Sequence, residues 1–216
     1  MTDNPIFQEI DEDLERQKME ALWKRYGIWI IIAAVLLVAA TGGYTFWQSW
    51  RAGEQQKQTS ALMDVLSDKA AASDKQITAL QDIAAKDRGD VQGAMATLHA
   101  AALAAKDGDS KQAIALYDGM AGDDKIDSAF RQLADLLSVQ AQMDDGDPVV
   151  LQKRLQPLLA DNAPWRYTAM EDDAFLALRA GDKSRAKQIF TELAQDASAP
   201  QDINGRASDM LRFIDD

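Results

Sequence analysis

Few side chains in this sequence are suited to catalysis. The 216 residues include one histidine, His99, and no cysteine. Histidine-rich metal sites, and nucleophilic catalysis based on His or Cys, would lack most of their side chains. We therefore predict that the chain is not an enzyme. We expect His99 to be a packed or half-exposed residue of an alanine-rich helix.

Acidic residues form short runs, among them Asp123-Asp124, Asp144-Asp145 and Glu171 to Asp173. Carboxylates can bind Ca²⁺, but these runs lack the alternating ligand spacing, central Gly and terminal Glu of a calcium loop. The Gly-Asp pairs at residues 89–90 and 108–109 lack the Lys-Ser/Thr ending of a phosphate-binding loop. We interpret the acidic runs as helix caps and solvated faces, and we predict no metal, no cofactor and no small-molecule substrate.

The first structural element that the sequence predicts is an apolar stretch near the N-terminus. Residues 27–47 are 21 residues without a charge, and as a helix they would span roughly 31 Å, about the hydrocarbon thickness of a bilayer. The stretch is apolar on every face, and aromatic residues cluster near its two ends, as is typical of membrane-spanning helices. We predict a single transmembrane helix over residues 27–47, in contact with the lipid bilayer.

A cleaved leader and a buried helix of a soluble protein are the two alternatives for this stretch. The apolar region of a leader usually has only about 7–15 residues. Here a segment with seven acidic residues precedes the stretch, and further aromatic residues follow it. A buried helix rarely needs to be this long. A retained anchor fits these features best.

Basic residues predict the orientation of the anchor. By the positive-inside rule, the flank richer in Lys and Arg stays in the cytoplasm. We therefore expect residues 1–26 to be a cytoplasmic amphipathic segment, either a docking helix or a solvated extension, and residues 48–216 to face the opposite compartment. The deciding residues are Lys24 and Arg25, together with Arg16 and Lys18, against Arg51 and Lys57 on the other flank.

The net charge of the chain restricts the kind of partner that it can bind. The net charge is −12, and residues 1–47, with seven acids and four bases, account for −3 of it, so residues 48–216 carry −9. Such a surface repels the phosphates of nucleic acid, and we therefore expect no nucleic-acid partner. Without cysteine, no disulfide framework can form. The alanine-rich, proline-poor composition after the anchor predicts an all-α fold.

A repeated pattern organises this helical part. Gly-Asp opens GDSKQAIALYDGMA at residue 108, GDPVVLQKRLQPLLA at 146 and GDKSRAKQIFTELA at 181, so the glycines are 38 and 35 residues apart. About 15 helix-forming residues precede each glycine and about 13 follow it. The sequence therefore predicts a helix, a tight turn and a second helix, repeated along the chain.

The residue types within each unit suit this arrangement. A glycine can adopt the left-handed conformation that ends the first helix, and the following Asp can cap the second helix. In the middle unit, Asp147 and Pro148 supply a cap and a proline at the first helical position. The predicted turn and packing residues are Ala101, Gly108, Ala113 and Tyr117 in the first unit, Gly146, Leu151 and Leu155 in the second, and Ala174, Gly181, Ala186 and Phe190 in the third.

Further helices are predicted on both sides of the three units. Residues 55–66 are expected to continue the membrane helix, and a capping box from Ser73 to Gln76 is expected to open a helix through Ile83. A last helix has one apolar face and is expected to cap the array, since the final hairpin would otherwise expose its apolar surface. That face consists of Ile203, Ala207, Met210, Leu211 and Ile214.

The glycine, alanine and aromatic spacing resembles the second half of a tetratricopeptide repeat. The first half fits less well, because the usual Trp and Tyr are absent and Val139 takes the place of a small residue in the middle unit. An unspecialised array of helical hairpins remains the alternative. The expected fold is therefore all-α, with a single N-terminal transmembrane helix followed by a tetratricopeptide-like helical-hairpin solenoid.

A closer resemblance covers nearly the whole chain. An acidic segment, WKRYG leading into one apolar helix, VQGAMATLHAAALAAKDGDSKQAIALYD and WRYTAMEDDAFLALRAGDKSRAKQIFTEL follow in this order. This order resembles the ancillary SecYEG translocon subunit family, the YfgM-like tetratricopeptide proteins. The strongest matches are Gly93, Ala94, Ala113, Gly181, Asp182 and Ala186.

The resemblance implies a single-pass protein of the cell inner membrane, with a cytoplasmic N-terminus and with residues 48–216 in the periplasm. It further implies partners: the Sec translocon and a membrane-anchored periplasmic chaperone of the prolyl-isomerase type. The implied function is an interaction scaffold that assists export and folding of secreted proteins. The alternative is an envelope sensor or regulator that acts through its cytoplasmic segment. The partner-binding residues are not predicted by the sequence.

Overall fold

The structure is a computed structural model that describes residues 59–68 and 72–215. Every regular element in these two ranges is helical. In chain order they are α1 (residues 59–67), α2 (Ser73–Lys86), α3 (Val91–Lys106), α4 (Ser110–Ala121), α5 (Ser128–Ala141), α6 (Pro148–Leu155), a 3₁₀ helix (Gln156–Leu159), α7 (Arg166–Arg179), α8 (Lys183–Gln195) and α9 (Gln201–Asp215).

Each helix packs mainly on the helices before and after it in the chain. α2 contacts α3, α3 contacts α4, and the same neighbour packing continues to the contact of α8 with α9. The three Gly-Asp units are the hairpins α3–α4, α5–α6 and α7–α8. This confirms the predicted succession of helix, tight turn and helix, and the described residues 59–68 and 72–215 belong to one compact unit of stacked hairpins.

The turns of the first and third hairpins follow the prediction in detail. Gly108 has φ +86° and Gly181 has φ +82°, the left-handed region that side chains other than glycine rarely adopt. The Asp109 carboxylate accepts a hydrogen bond from the Gln112 backbone N–H, and the Asp182 carboxylate accepts one from the N–H of Arg185. These bonds satisfy backbone donors that the first turn of a helix leaves free.

The middle hairpin is built differently. Asp147 caps α6 by accepting from the Val149 N–H at 2.9 Å, and Pro148 begins the helix, as predicted. Gly146 does not adopt a positive φ; instead, a Cβ on it would lie 2.9 Å from the backbone oxygen of Gln142. α6 ends after eight residues and continues as the 3₁₀ helix, because Pro157 lacks the N–H that another α-helical turn would need.

The predicted capping box is wrong. Ser73 is the first helical residue of α2 rather than its cap, and the preceding residue, Ala72, has no side chain that could cap it. The Gln76 side-chain amide does not reach back to a backbone N–H. It donates to the backbone oxygens of Val65 and Asp68, and so it fastens α2 to the end of α1. α2 also extends to Lys86, beyond the predicted end at Ile83.

The final helix covers the apolar surface of the last hairpin. Ile203 and Ala207 of α9 are buried in one cluster with Phe190 and Leu193 of α8. Met210, Leu211 and Ile214 are partly buried against the same cluster. The predicted capping helix and its apolar face are therefore confirmed.

Several predictions concern residues outside the described ranges. They are the cytoplasmic segment at residues 1–26, the transmembrane helix at residues 27–47, the orientation set by Lys24 and Arg25, and the helical residues 55–58. Within the two ranges that the structure describes, none of the helices combines the length and the apolar character needed to cross a membrane.

Candidate functional site

The first helices of successive hairpins lie side by side. α3 contacts α5, and α7 contacts α9. The Gln140 side-chain amide of α5 donates to Asp172 Oδ2 of α7 at 2.9 Å, and the indole N–H of Trp165, the residue before α7, donates to the Ala129 carbonyl of α5 at 3.1 Å. The first helices therefore present one shared surface, which we call the first-helix surface and define by α3, α5 and α7.

The predicted packing residues lie behind this surface and not on it. The structure distributes them over three apolar clusters, one for each hairpin and its neighbours. The turn residues Gly108 and Gly181 are exposed, and Gly146 is half-buried. The first cluster contains Ala101, Ala113 and Tyr117, the second Leu151 and Leu155, and the third Ala174, Ala186 and Phe190.

The acidic run of α7 is buried, so its interpretation as a solvated face is wrong. Glu171, Asp172 and Asp173 are only 6%, 7% and 2% exposed. Consecutive residues of an α-helix point about 100° apart, and the three carboxylates therefore face three different neighbours. α7 is the centre of a polar network that reaches the preceding hairpin, α5–α6, and the final helix, α9.

Two of these carboxylates form ion pairs. Glu171 accepts two hydrogen bonds of 2.7 Å from the Arg206 guanidinium of α9, which raises the pKa of Arg206. Asp173 accepts from Arg185 of α8 at 2.7 Å and from the Gln152 amide of α6 at 2.9 Å. Such charge-assisted bonds to a buried carboxylate fix the relative positions of α6, α7, α8 and α9.

Asp172 is different, because it forms no ion pair within the described part of the chain. Its hydrogen bond comes from the neutral amide of Gln140. Burial and, to a smaller extent, the nearby charge of Glu171 raise the pKa of Asp172, the bond from Gln140 lowers it, and the net pKa is about 6. A titratable carboxyl therefore lies at the seam between α5 and α7.

A second network ties α4, α5 and α6 together. Arg154 of α6 donates from Nη2 to Asp118 of α4 at 2.8 Å and from Nε to Asp135 of α5 at 3.0 Å. The buried Ser138 hydroxyl donates to Asp118 at 2.6 Å. The guanidinium thus bridges two successive hairpins, and a bidentate group of fixed geometry suits that role better than a lysine would.

The other acidic runs are more exposed than the run in α7. Asp123, in the turn before α5, accepts from the Arg88 guanidinium at 2.6 Å, and this bond lowers the pKa of Asp123. Asp144 and Asp145 are exposed in the turn before α6. In the ranges that the structure describes, no group of three or more potential ligand residues is arranged to hold a metal ion.

Some exposed apolar side chains lie on α1 and α3, and others lie on α6, at Val149 and Val150, and on α9, at Phe213. Met63 of α1, and Val91 and Met95 of α3, are 60%, 58% and 37% exposed. His99 of α3 is half-buried and lines a cavity between α1, α2 and α3. Helical spacing predicts that α3 is a buried alanine-rich helix, but it does not show which of its residues stay uncovered. That depends on the stacking of the hairpins.

Comparison with known protein families gives one match. The family described as a tetratricopeptide repeat-like domain matches residues 20–200. No curated protein and no solved structure matches the chain significantly. Folds of this kind are typically non-catalytic scaffolds for protein–protein interaction, and no enzyme family is indicated. The matched range covers most of the chain, which therefore belongs to the tetratricopeptide repeat-like domain family.

Proposed function

We propose that the protein is a membrane-anchored periplasmic interaction scaffold, associated with the Sec translocon and with periplasmic chaperones, that assists export and folding of secreted proteins. The observation that carries the scaffold function is the stacking of hairpins whose first helices are joined into one surface. The named partners and the inner-membrane location come from the resemblance to the YfgM-like translocon subunits. The anchor at residues 27–47 would keep the array near the channel.

Rigidity of the hairpin array supports a scaffold function. Arg154 bridges two hairpins, and the carboxylates of α7 bond to α5, α6, α8 and α9. A surface held in one arrangement loses little conformational entropy when a partner binds. The polar networks thus pre-organise the first-helix surface, whereas a loosely connected array would have to be ordered by its partner.

Co-purification tests this proposal. The full-length chain, carrying an affinity tag, would be isolated from membranes after mild crosslinking, beside a variant that lacks residues 59–216. We expect translocon subunits and a membrane-anchored prolyl-isomerase-type chaperone with the full-length chain and not with the variant. Recovery of neither partner would refute the proposed function. Equal recovery with the variant would assign the interaction to residues 1–58 instead.

Topology mapping tests the proposed location separately. Reporter fusions at residue 5 and after residue 216 would report the compartment of each end. We expect a cytoplasmic signal at residue 5 and a periplasmic signal after residue 216. A cytoplasmic signal at both positions would rule out a periplasmic array.

A further inference from the structure

α1 and α3 run side by side in the same direction. At one end, the Gln92 side-chain amide of α3 donates to the Thr59 hydroxyl of α1 at 3.3 Å. At the other end, a cavity of about 220 Å³ is lined by Leu66 of α1 together with Leu103 and Lys106 of α3. Gln76 and Leu80 of α2 also line this cavity. We call the surface between α1 and α3, from the hydrogen bond to the cavity, the α1–α3 groove.

The groove exposes apolar side chains along its length. Met63 lies one helical turn after Thr59, and Met95 lies one turn after Gln92, so the hydrogen bond between Thr59 and Gln92 brings both methionines to the same side. Val91 is on the same face of α3 as Met95, four residues away. Methionine side chains are flexible and polarizable, and they adapt to apolar partners of different shape.

The charge of the groove contrasts with that of the whole chain. The net charge is −12, yet the 16 residues of α3 include no acid, and the one acid of α1, Asp64, lies toward α2, where it lines a pocket with Lys75 and Ala79. Among the described residues that line the cavity, which include His99 and Lys106, none is acidic. Neither His99 nor Lys106 forms an ion pair with any residue that the structure describes. An apolar partner with a negative group at the Lys106 end would be complementary to this groove.

The backbone requirements of the partner favour a helix. The groove consists of two helices whose backbone groups bond within the helices, and so it offers no free edge to an extended peptide. A helical partner satisfies its own backbone and needs only side-chain contacts. The cavity is also smaller than the roughly 300–1,000 Å³ of typical small-molecule pockets, which favours a side-chain anchor over a free ligand.

We propose that the α1–α3 groove binds an amphipathic helix of a partner polypeptide, with apolar residues against Met63 and Met95 and a carboxylate near Lys106. Met95 and Lys106 are 11 residues apart in α3, which corresponds to about 16 Å along the helix axis. The partner helix would carry its acid at about the same distance from its apolar anchor. The inference rests on the proposed scaffold function and specifies the chemistry of one binding site.

Two labelled peptides with the same amphipathic helical sequence test the proposal, one ending in glutamates and the other in lysines. Binding to the full-length chain would be measured by fluorescence anisotropy in nanodiscs of zwitterionic lipid. We expect the glutamate peptide to bind more tightly, and Lys106→Glu to reverse that preference, with a change of about threefold to tenfold for each peptide. The variant Lys106→Gln should abolish the preference.

The apolar part of the groove has a matched control. We expect Met63→Gln and Met95→Gln each to weaken the binding of both peptides by about threefold to tenfold. Val149→Gln should change neither, although Val149 of α6 is 68% exposed and so resembles Met63 in exposure. Unchanged helicity of each variant shows that the fold is intact. An equal effect of Val149→Gln, or a charge preference that Lys106→Glu leaves unchanged, would overturn the proposal.

Three further outcomes separate this proposal from a self-association site and from the proposed function. If the chain self-associates through the groove, and Met95→Gln abolishes that association, the occupant is a second copy and the proposal is wrong. If neither peptide binds while co-purification still recovers the translocon, the groove assignment fails and the scaffold function stands. If peptide binding responds as expected while co-purification fails, the named partners are wrong and the groove assignment stands.

Discussion

Replacing Asp172 by Asn should stabilise the hairpin array at neutral pH. Asp172 is 7% exposed, is bonded by Gln140 and lies near the like charge of Glu171. Its pKa is about 6 in the folded protein against a usual value of 3.8. Each unit of pKa corresponds to about 1.4 kcal/mol, so the ionised carboxylate lowers the free energy of unfolding by about 3 kcal/mol at pH 7.

The direction of the pH dependence follows from the raised pKa. An acid that is weaker in the folded state favours folding when it is protonated. Its destabilising effect is therefore greatest well above pH 6 and disappears as the pH falls below the unfolded value of 3.8. When the pH is lowered from 7 to 5, protonation of Asp172 should raise the free energy of unfolding by about 1.3 kcal/mol. Asp172→Asn keeps an acceptor for Gln140 and removes this dependence.

Urea unfolding followed by helical circular dichroism, on the full-length chain in a nonionic detergent, measures both effects. We expect the free energy of unfolding of Asp172→Asn to exceed that of the wild type by about 3 kcal/mol at pH 7, and by about half of that at pH 5. Asp144→Asn, at an exposed turn residue, is the control and should change neither value. If Asp172→Asn is less stable than the wild type at pH 7, or if the difference does not vary with pH, the reasoning is wrong.

Two further pairs of substitutions test the turns and the ion pairs. Gly181→Ala should lower the free energy of unfolding by about 1 kcal/mol, because Gly181 has φ +82°, whereas Gly205→Ala in the open interior of α9 should raise it by a similar amount. Urea unfolding would measure both changes, and equal effects of the two substitutions would contradict the account. Arg206→Gln should lower the free energy of unfolding by about 1–2 kcal/mol, because it leaves Glu171 buried without its cation, whereas Arg212→Gln, at an exposed ion pair, should lower it by less than about 0.5 kcal/mol. Thermal unfolding would measure both, and equal losses would contradict the stabilising role of the buried pair.

Local signals in the sequence were sufficient to predict the turns and the aspartate caps of the first and third hairpins. The glycine at residue 108 and the aspartate after it have the same conformation and the same hydrogen bond as the pair at residues 181 and 182. Only neighbouring residues determine these features, and a single sequence can therefore reveal them. The apolar face of α9 was predictable for a similar reason, because its helical period is visible over its whole length.

The partners of buried charges could not be predicted in the same way. Glu171 pairs with Arg206, 35 residues away, and Arg154 bonds to Asp118, 36 residues away. Such pairs form only when the hairpins stack, and the acidic run in α7 looks like a solvated face until its neighbours are known. The capping box failed for the opposite reason, because the local pattern of Ser73 and Gln76 was present but Gln76 bonds to the end of α1.

The sequence also could not show which residues of α3 are exposed. Its alanine-rich composition predicts a buried helix, yet Val91 and Met95 remain exposed because α1 and α5 lie on either side of their face and do not cover it. Surface that is exposed on a first helix is defined by the stacking of three hairpins, and the periodicity of one helix cannot show it.

Site-specific photo-crosslinking in the full-length chain tests most directly whether the first-helix surface holds the partner. A photoreactive residue would replace Met95 or Ala102 on α3, and in control variants Lys111 on α4 or Lys153 on α6, all of which are exposed. We predict adducts with the translocon or the chaperone from the two α3 positions and none from the second-helix positions. Adducts of equal yield from all four positions, or from the second helices alone, would contradict the account.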